Sequence, residues 1–90
     1  MTSEDLRDLR AFILRELYRV NPRGRTAGTL RTIARAEVPG ELADFEAQLT
    51  FLQGRQLVEP KPADALAPGL PPFWFITADG MGYAEKEHLV

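Results

Sequence analysis

The chain has 90 residues, of which 44% are apolar and 27% charged, and this balance predicts one soluble globular domain over residues 1–90. It has no cysteine, which excludes a disulfide framework, a thiolate nucleophile and cysteine-ligated zinc. The acidic N-terminus MTSEDLRD lacks the basic and apolar regions of a secretory signal. The apolar run from Ala11 to Leu14 is far too short to cross a bilayer. We therefore expect a cytoplasmic protein that does not bind a membrane.

The net charge is -2, but its sign changes along the chain. Residues 1–35 carry eight arginines against four acids, whereas residues 36–90 carry three basic residues against nine acids. A polyanion would therefore meet the first half of the chain, although a nucleic-acid-binding domain is usually basic overall.

The first predicted element is a helix that begins with Ser3 as its N-cap and ends at Asn21-Pro22. Apolar residues at helical spacing form its buried stripe: Leu6, Leu9, Ile13, Leu17 and Val20. A second stripe lies well round the helix and consists of Ala11, Leu14 and Tyr18. Two coverings are open for this stripe: a later element such as the C-terminal segment, or a second copy of the chain in a homodimer interface.

Two further helices follow a predicted loop, residues 21–28 (NPRGRTAG). Thr26 or Thr29 can cap the second helix, whose inward residues are Leu30, Ile33, Ala34 and Val38 and whose outward arginines are Arg31 and Arg35. A break at Pro39-Gly40 precedes a third helix from about Glu41 to Gly54. Its buried stripe is Leu42, Phe45, Leu49 and Leu52.

The remaining third of the chain predicts a β-hairpin and a short helix. Gln56 to Pro60 is the first strand, and residues 61–72, with four prolines, form the connecting loop. The aromatic and β-branched run Phe73 to Thr77 is the second strand, with Trp74 as an anchor in the core or wing. Residues 77–80 then turn the chain into a terminal helix from Tyr83 to Leu89.

This order of elements resembles a winged helix-turn-helix domain. GRQLVEP is similar to the family's close of the third helix. FWFITADGMGYAE is similar to the second wing strand and the "leucine-threonine, two residues, glycine" segment, with Ile76, Thr77 and Gly80 in the matching places. The resemblance spans about residues 5 to 88. It implies a mostly α fold with a small β-hairpin: a three-helix core, a two-stranded wing and a short C-terminal helix.

The resemblance also implies a non-catalytic, DNA-binding transcription regulator that binds double-stranded DNA as a dimer. The candidate phosphate contacts are the five arginines between the end of the first helix and the second helix, and the lysine of the wing: Arg19, Arg23, Arg25, Arg31, Arg35 and Lys61. Arginine suits bidentate phosphate contact. Pairing of these arginines with the chain's own acids, including Glu37 and Glu41, is equally open.

The third helix departs from the family pattern, because its outward positions are acidic. They are Glu41, Asp44, Glu46, Gln48, Thr50 and Gln53, with Arg55 at the end. Carboxylates repel phosphate, so a second hypothesis is open. In it the domain is a protein-interaction module or subunit that binds a basic protein surface through Glu41, Asp44 and Gln48 and self-associates through the Ala11, Leu14 and Tyr18 stripe.

We expect no enzymatic activity, cofactor or metal. His88 is the only histidine, and with Glu85 and Glu87 it offers too few ligands for a metal site. Asp79 and Glu85 could be imagined as an acid/base pair, but the sequence implies no nucleophile or deep pocket around them.

Overall fold

The computed structural model describes residues 3–37, 45–62 and 69–90, with side chains from Leu6 onwards. Seven elements follow one another in these ranges: α1 (Ser3–Val20), β1 (Arg25–Thr26), α2 (Ala27–Glu37), α3 (Phe45–Gly54), β2 (Val58–Lys61), β3 (Phe73–Ile76) and α4 (Ala78–Lys86). The mostly helical fold with a small antiparallel sheet confirms the predicted fold class. Val38, Leu42 and most of the loop between β2 and β3 lie outside the described residues. Within those ranges, no helix is long and apolar enough to span a bilayer.

α1 is the central helix of the core. Leu9, Ile13 and Leu17 of the predicted stripe have no exposed surface, and Phe12, which lay in neither predicted stripe, is 2% exposed. The helix is therefore buried on more than one side. Around it pack apolar residues from every other helix and from β2 and β3: Leu30, Ala34, Phe45, Leu49, Leu52, Val58, Ile76 and Ala84.

The second stripe of α1 is covered by the C-terminal helix α4. Leu14 is 1% exposed, and the Tyr18 hydroxyl donates a 2.7 Å hydrogen bond to Oε1 of Glu85 on α4. This bond raises the pKa of Tyr18, because it favours the protonated phenol beside a carboxylate. The sequence allows two ways to cover this stripe, and in the structure it is the C-terminal segment of the same chain that covers it. A homodimer contact at this stripe stays a prediction, and a buried Leu14 would take no part in it.

The sheet has one strand more than the predicted two-stranded wing. Its order is β1-β3-β2, and both pairings are antiparallel. β1 lies in the segment for which the sequence predicts a loop. It reaches β3 because residue 24 is glycine: a Cβ there would lie 2.6 Å from the Trp74 carbonyl oxygen and 2.9 Å from the Phe75 ring. Any side chain at this position would push the two strands apart.

α2 begins and α3 ends close to the predicted positions, whereas the end of α2 and the start of α3 adjoin residues outside the described ranges. The Thr26 hydroxyl accepts a 3.2 Å hydrogen bond from the Thr29 N–H, so Thr26 caps α2. Phe45, Leu49 and Leu52 of α3 are buried as predicted. The prediction that Gln48 faces outward is wrong.

Gln48 is only 6% exposed, and its Oε1 accepts a 2.7 Å hydrogen bond from Nε of Arg10 on α1. A buried polar side chain is tolerated when it has such a partner. The surface assigned to a protein partner therefore loses Gln48, while Glu41 and Asp44 lie outside the described residues.

The predicted turn at residues 77–80 is wrong, because α4 already begins at Ala78. Thr77 is its N-cap: the hydroxyl oxygen accepts a 2.9 Å hydrogen bond from the Gly80 N–H. The same hydroxyl lies 2.7 Å from the Gln56 carbonyl oxygen and 3.1 Å from that of Leu57, so it donates back to the chain just before β2. One side chain thus starts α4 and ties it to the hairpin.

Replacing Thr77 with alanine should lower the free energy of unfolding by about 1–2 kcal/mol, because α4 loses its cap and the Gln56 carbonyl loses a donor. Thr77→Ser keeps the hydroxyl and should retain most of the stability. Urea denaturation followed by circular dichroism measures both variants. Equal stability of the alanine and serine variants would contradict this role.

Candidate nucleic-acid interface

The sheet register places the N-terminus of α2 beside the end of the β2–β3 hairpin from which the connecting loop leaves. Thr26 is paired with Phe73, which is paired on its other side with Lys61, so these three residues form one row across the sheet. α2 begins at Ala27 without a linker. The unpaired N–H groups at a helix N-terminus favour anions. The row therefore brings a helix N-terminus and a lysine to the same end of the sheet, on its two edge strands.

Lys61 and Arg25 lie on opposite faces of this sheet. Arg25 is paired with Trp74, next to Phe73, and successive residues of a strand point to opposite faces. Lys61 shares the outer face with Phe75, with its ammonium 5.2 Å from the ring centroid and 3.4 Å from Glu59 Oε1. Both partners of this ion pair are at least half exposed, so the pair is weak and Lys61 stays accessible to an anion.

Arg19 and Arg25 share one internal partner, Glu16. Nε and Nη2 of Arg19 each lie 2.8 Å from an oxygen of Glu16, and Nε of Arg25 lies 3.7 Å from Oε2. The Glu16 side chain is 8% exposed. The hydrogen bonds from Arg19 hold the pKa of Glu16 below its usual value and raise the pKa of Arg19. Arg19 and Arg25 therefore pair with an acid of their own chain, which is the second of the two interpretations that the sequence allows.

The carboxylate of Glu16 predicts an acid-sensitive contribution to stability. Its folded-state pKa lies below the ordinary 4.5, so the contribution is complete above that value and is lost as the pH falls through the folded pKa. Glu16→Gln should flatten the loss of stability between neutral and acid pH. Glu46→Gln, at an exposed position of α3, is the control and should keep the wild-type slope. Urea midpoints across the pH range measure the three proteins, and equal slopes for Glu16→Gln and wild type would contradict the prediction.

Three predicted arginines are exposed and form no ion pair with another described residue: Arg23, Arg31 and Arg35. Arg23 lies in a shallow cleft of about 310 Å³ at the end of α1, together with Arg19 and Arg25. Arg31 and Arg35 are one turn apart on α2. The structure thus brings three of the six predicted contacts into one cleft and places two on α2 and one across the sheet.

The exposed face of α3 is polar rather than strongly acidic over the residues described. Glu46, Thr50 and Gln53 are exposed, and Glu46 is the single acid among them. Ala47 and Gly54 complete this face with small residues. Such a surface can approach another molecule closely. The Thr50 hydroxyl donates to the Glu46 carbonyl oxygen at 3.1 Å, so its oxygen remains to accept, while the Gln53 amide can both donate and accept.

Sequence reasoning missed a second cationic cluster, which lies between α1, α3 and α4. The Arg10 guanidinium carbon is 3.8 Å from the centroid of the Phe51 ring, and that of Arg55 is 5.6 Å from it. The available signal was Phe51 itself, a large apolar residue outside the predicted stripe of its helix and 39% exposed. No group of three metal-ligating side chains occurs among the residues that the structure describes.

The order of helices, the β2–β3 hairpin and the edge strand β1 together define a winged-helix fold. The crystal structure of SSV1 F-93 is similar to it, with a TM-score of 0.66 over 87% of this chain and 79% of that one. The two sequences are 22% identical, so the similarity is one of fold. No protein-family model matches the chain, and no curated protein matches it significantly.

Proposed function

We propose that this domain is a non-catalytic transcription regulator that binds double-stranded DNA. Two observations carry the proposal: Arg31 and Arg35 are exposed one turn apart on α2, and the exposed face of α3 is polar. In winged-helix proteins the third helix meets base edges, while the wing and helix ends meet phosphates. Thr50 and Gln53 are the described α3 side chains suited to base edges.

The proposed phosphate contacts form two groups, according to whether the side chain is also paired with Glu16. Arg23, Arg31, Arg35 and Lys61 are accessible, and we assign them the main contacts. Arg19 and Arg25 would have to share their charge between DNA and Glu16, so we assign them a smaller contribution. The N-terminus of α2 adds backbone donors level with the loop end of the wing strands.

Titration of a fluorescent mixed-sequence duplex of about 20 base pairs tests the proposal without knowledge of an operator. We expect binding at low salt with a Kd of about 100 µM or tighter. Four phosphate contacts predict a slope of log K against log salt of about -3 to -4. Absence of binding at low salt, or binding that salt leaves unchanged, would overturn the proposal.

A further inference from the structure

A groove of about 530 Å³ lies between α1, α3 and α4, away from the exposed face of α3. Its volume is in the range of about 300–1,000 Å³ in which proteins hold small molecules. Its floor is apolar and consists of the half-buried Ala11 and Leu89 together with the buried Leu14, Leu52 and Leu57. Phe51 and Tyr83, each 39% exposed, stand at its edge. An apolar group could therefore bind on this floor.

The groove is also cationic. Arg7 and Arg10 line it from α1, and Arg55 lines it from the end of α3. None of these three forms an ion pair with another described residue. Among the described lining residues, Glu87 is the single acid, so the lining carries a net positive charge. An anion is the complementary ligand.

Arg10 is already held in place. Its Nε donates to Gln48, and its guanidinium stacks on the Phe51 ring at 3.8 Å, which leaves the terminal nitrogens to donate to a ligand. A guanidinium fixed in this way loses little side-chain entropy on binding, and its planar fork matches the two oxygens of a carboxylate.

We propose that this groove binds a small amphipathic carboxylate. The carboxylate pairs with Arg10 and the flanking Arg7 and Arg55, and an aromatic or alkyl group covers the apolar floor. The proposal goes beyond the proposed function and does not depend on DNA binding.

The test uses 4-phenylbutyrate as the probe and its neutral analogue 4-phenylbutanamide as the matched ligand control. In ¹H–¹⁵N spectra of the whole chain, the carboxylate should shift the amides of Arg10, Phe51 and Arg55 and saturate with a Kd of about 1 mM or below. The amide should bind at least about tenfold more weakly, because it cannot form charge-assisted bonds.

Matched variants locate the site. Arg55→Gln and Arg7→Gln should each weaken 4-phenylbutyrate binding by about tenfold. Arg15→Gln removes the same charge from an exposed position of α1 outside the groove and should bind like wild type.

Equal affinity for carboxylate and amide, or equal binding by the Arg55 and Arg15 variants, would overturn the proposal. Shifts at Arg10 and Phe51 that follow protein concentration instead of probe concentration would assign the groove to a second copy of the chain and would also overturn it.

Discussion

Gly80→Ala is expected to lower the free energy of unfolding by about 3 kcal/mol, the upper end of the usual cost of overpacking a core. A Cβ at this position would lie 2.1 Å from the Leu57 carbonyl oxygen and 2.7 Å from Cγ1 of Ile76. Neither neighbour can move freely, because one is backbone and the other is a buried strand residue. α4 would have to shift away from the hairpin, and with it the cover of the second stripe of α1.

Gly82 provides the control within the same helix. A Cβ there has no neighbour within 4 Å, so Gly82→Ala should leave stability unchanged or raise it by up to about 1 kcal/mol through helix propensity. Urea denaturation followed by the fluorescence of Trp74 compares the two variants. If Gly80→Ala proved as stable as Gly82→Ala, the close packing of α4 on the hairpin would be wrong.

The double variant Arg31→Gln, Arg35→Gln is expected to reduce the steepness of the salt dependence of DNA binding by about 2 units. The physical reason is that each phosphate contact releases a condensed counterion, and two contacts are removed. Affinity at low salt should fall on the order of tenfold. Fluorescence anisotropy with one labelled duplex at several salt concentrations measures both quantities.

The control for this pair is Arg15→Gln, Lys86→Gln, which changes the net charge equally at two exposed positions outside the proposed interface. It should lower affinity only slightly and keep the wild-type slope. A slope that falls equally in both double variants would show that only total charge matters, and it would remove the assignment to α2.

Periodicity predicted the parts of this fold that one helix determines alone. The stripe of α1 and the buried Phe45, Leu49 and Leu52 of α3 follow from helical spacing and burial. The hydrogen bond of Gln48 cannot be predicted from spacing, because its partner Arg10 is on another helix and is distant in sequence. A polar residue beside an apolar stripe is ordinarily placed outward.

The start of α4 and the strand β1 could not be predicted either, because contacts between segments that are distant in sequence determine them. Gly80 and Gly82 lower helix propensity over residues 77–82, so the segment is typical of a turn. Tertiary contacts override that preference, since Thr77 caps the helix and only glycine fits against Leu57. β1 has two residues, too few for an alternating pattern, and exists because Gly24 allows pairing with β3.

In the candidate interface too, helical spacing predicts some features and only the folded chain determines the others. The sequence spacing predicts that Arg31 and Arg35 share an exposed helix face, and in the structure both are exposed on α2. It could not separate them from Arg19 and Arg25, because only the folded chain brings Glu16 to those two guanidinium groups. The groove lined by Arg7, Arg10 and Arg55 requires three helices to meet, so no single segment predicts it.

Amide shift mapping with unlabelled duplex DNA at low salt tests the proposed interface most directly. We expect the largest shifts at the N-terminus of α2 and on the Thr50 and Gln53 side of α3. We expect shifts of the same size at the four main phosphate contacts, which are Arg23, Arg31, Arg35 and Lys61. Shifts that are absent, or that are confined to the groove between α1, α3 and α4, would contradict the proposed interface.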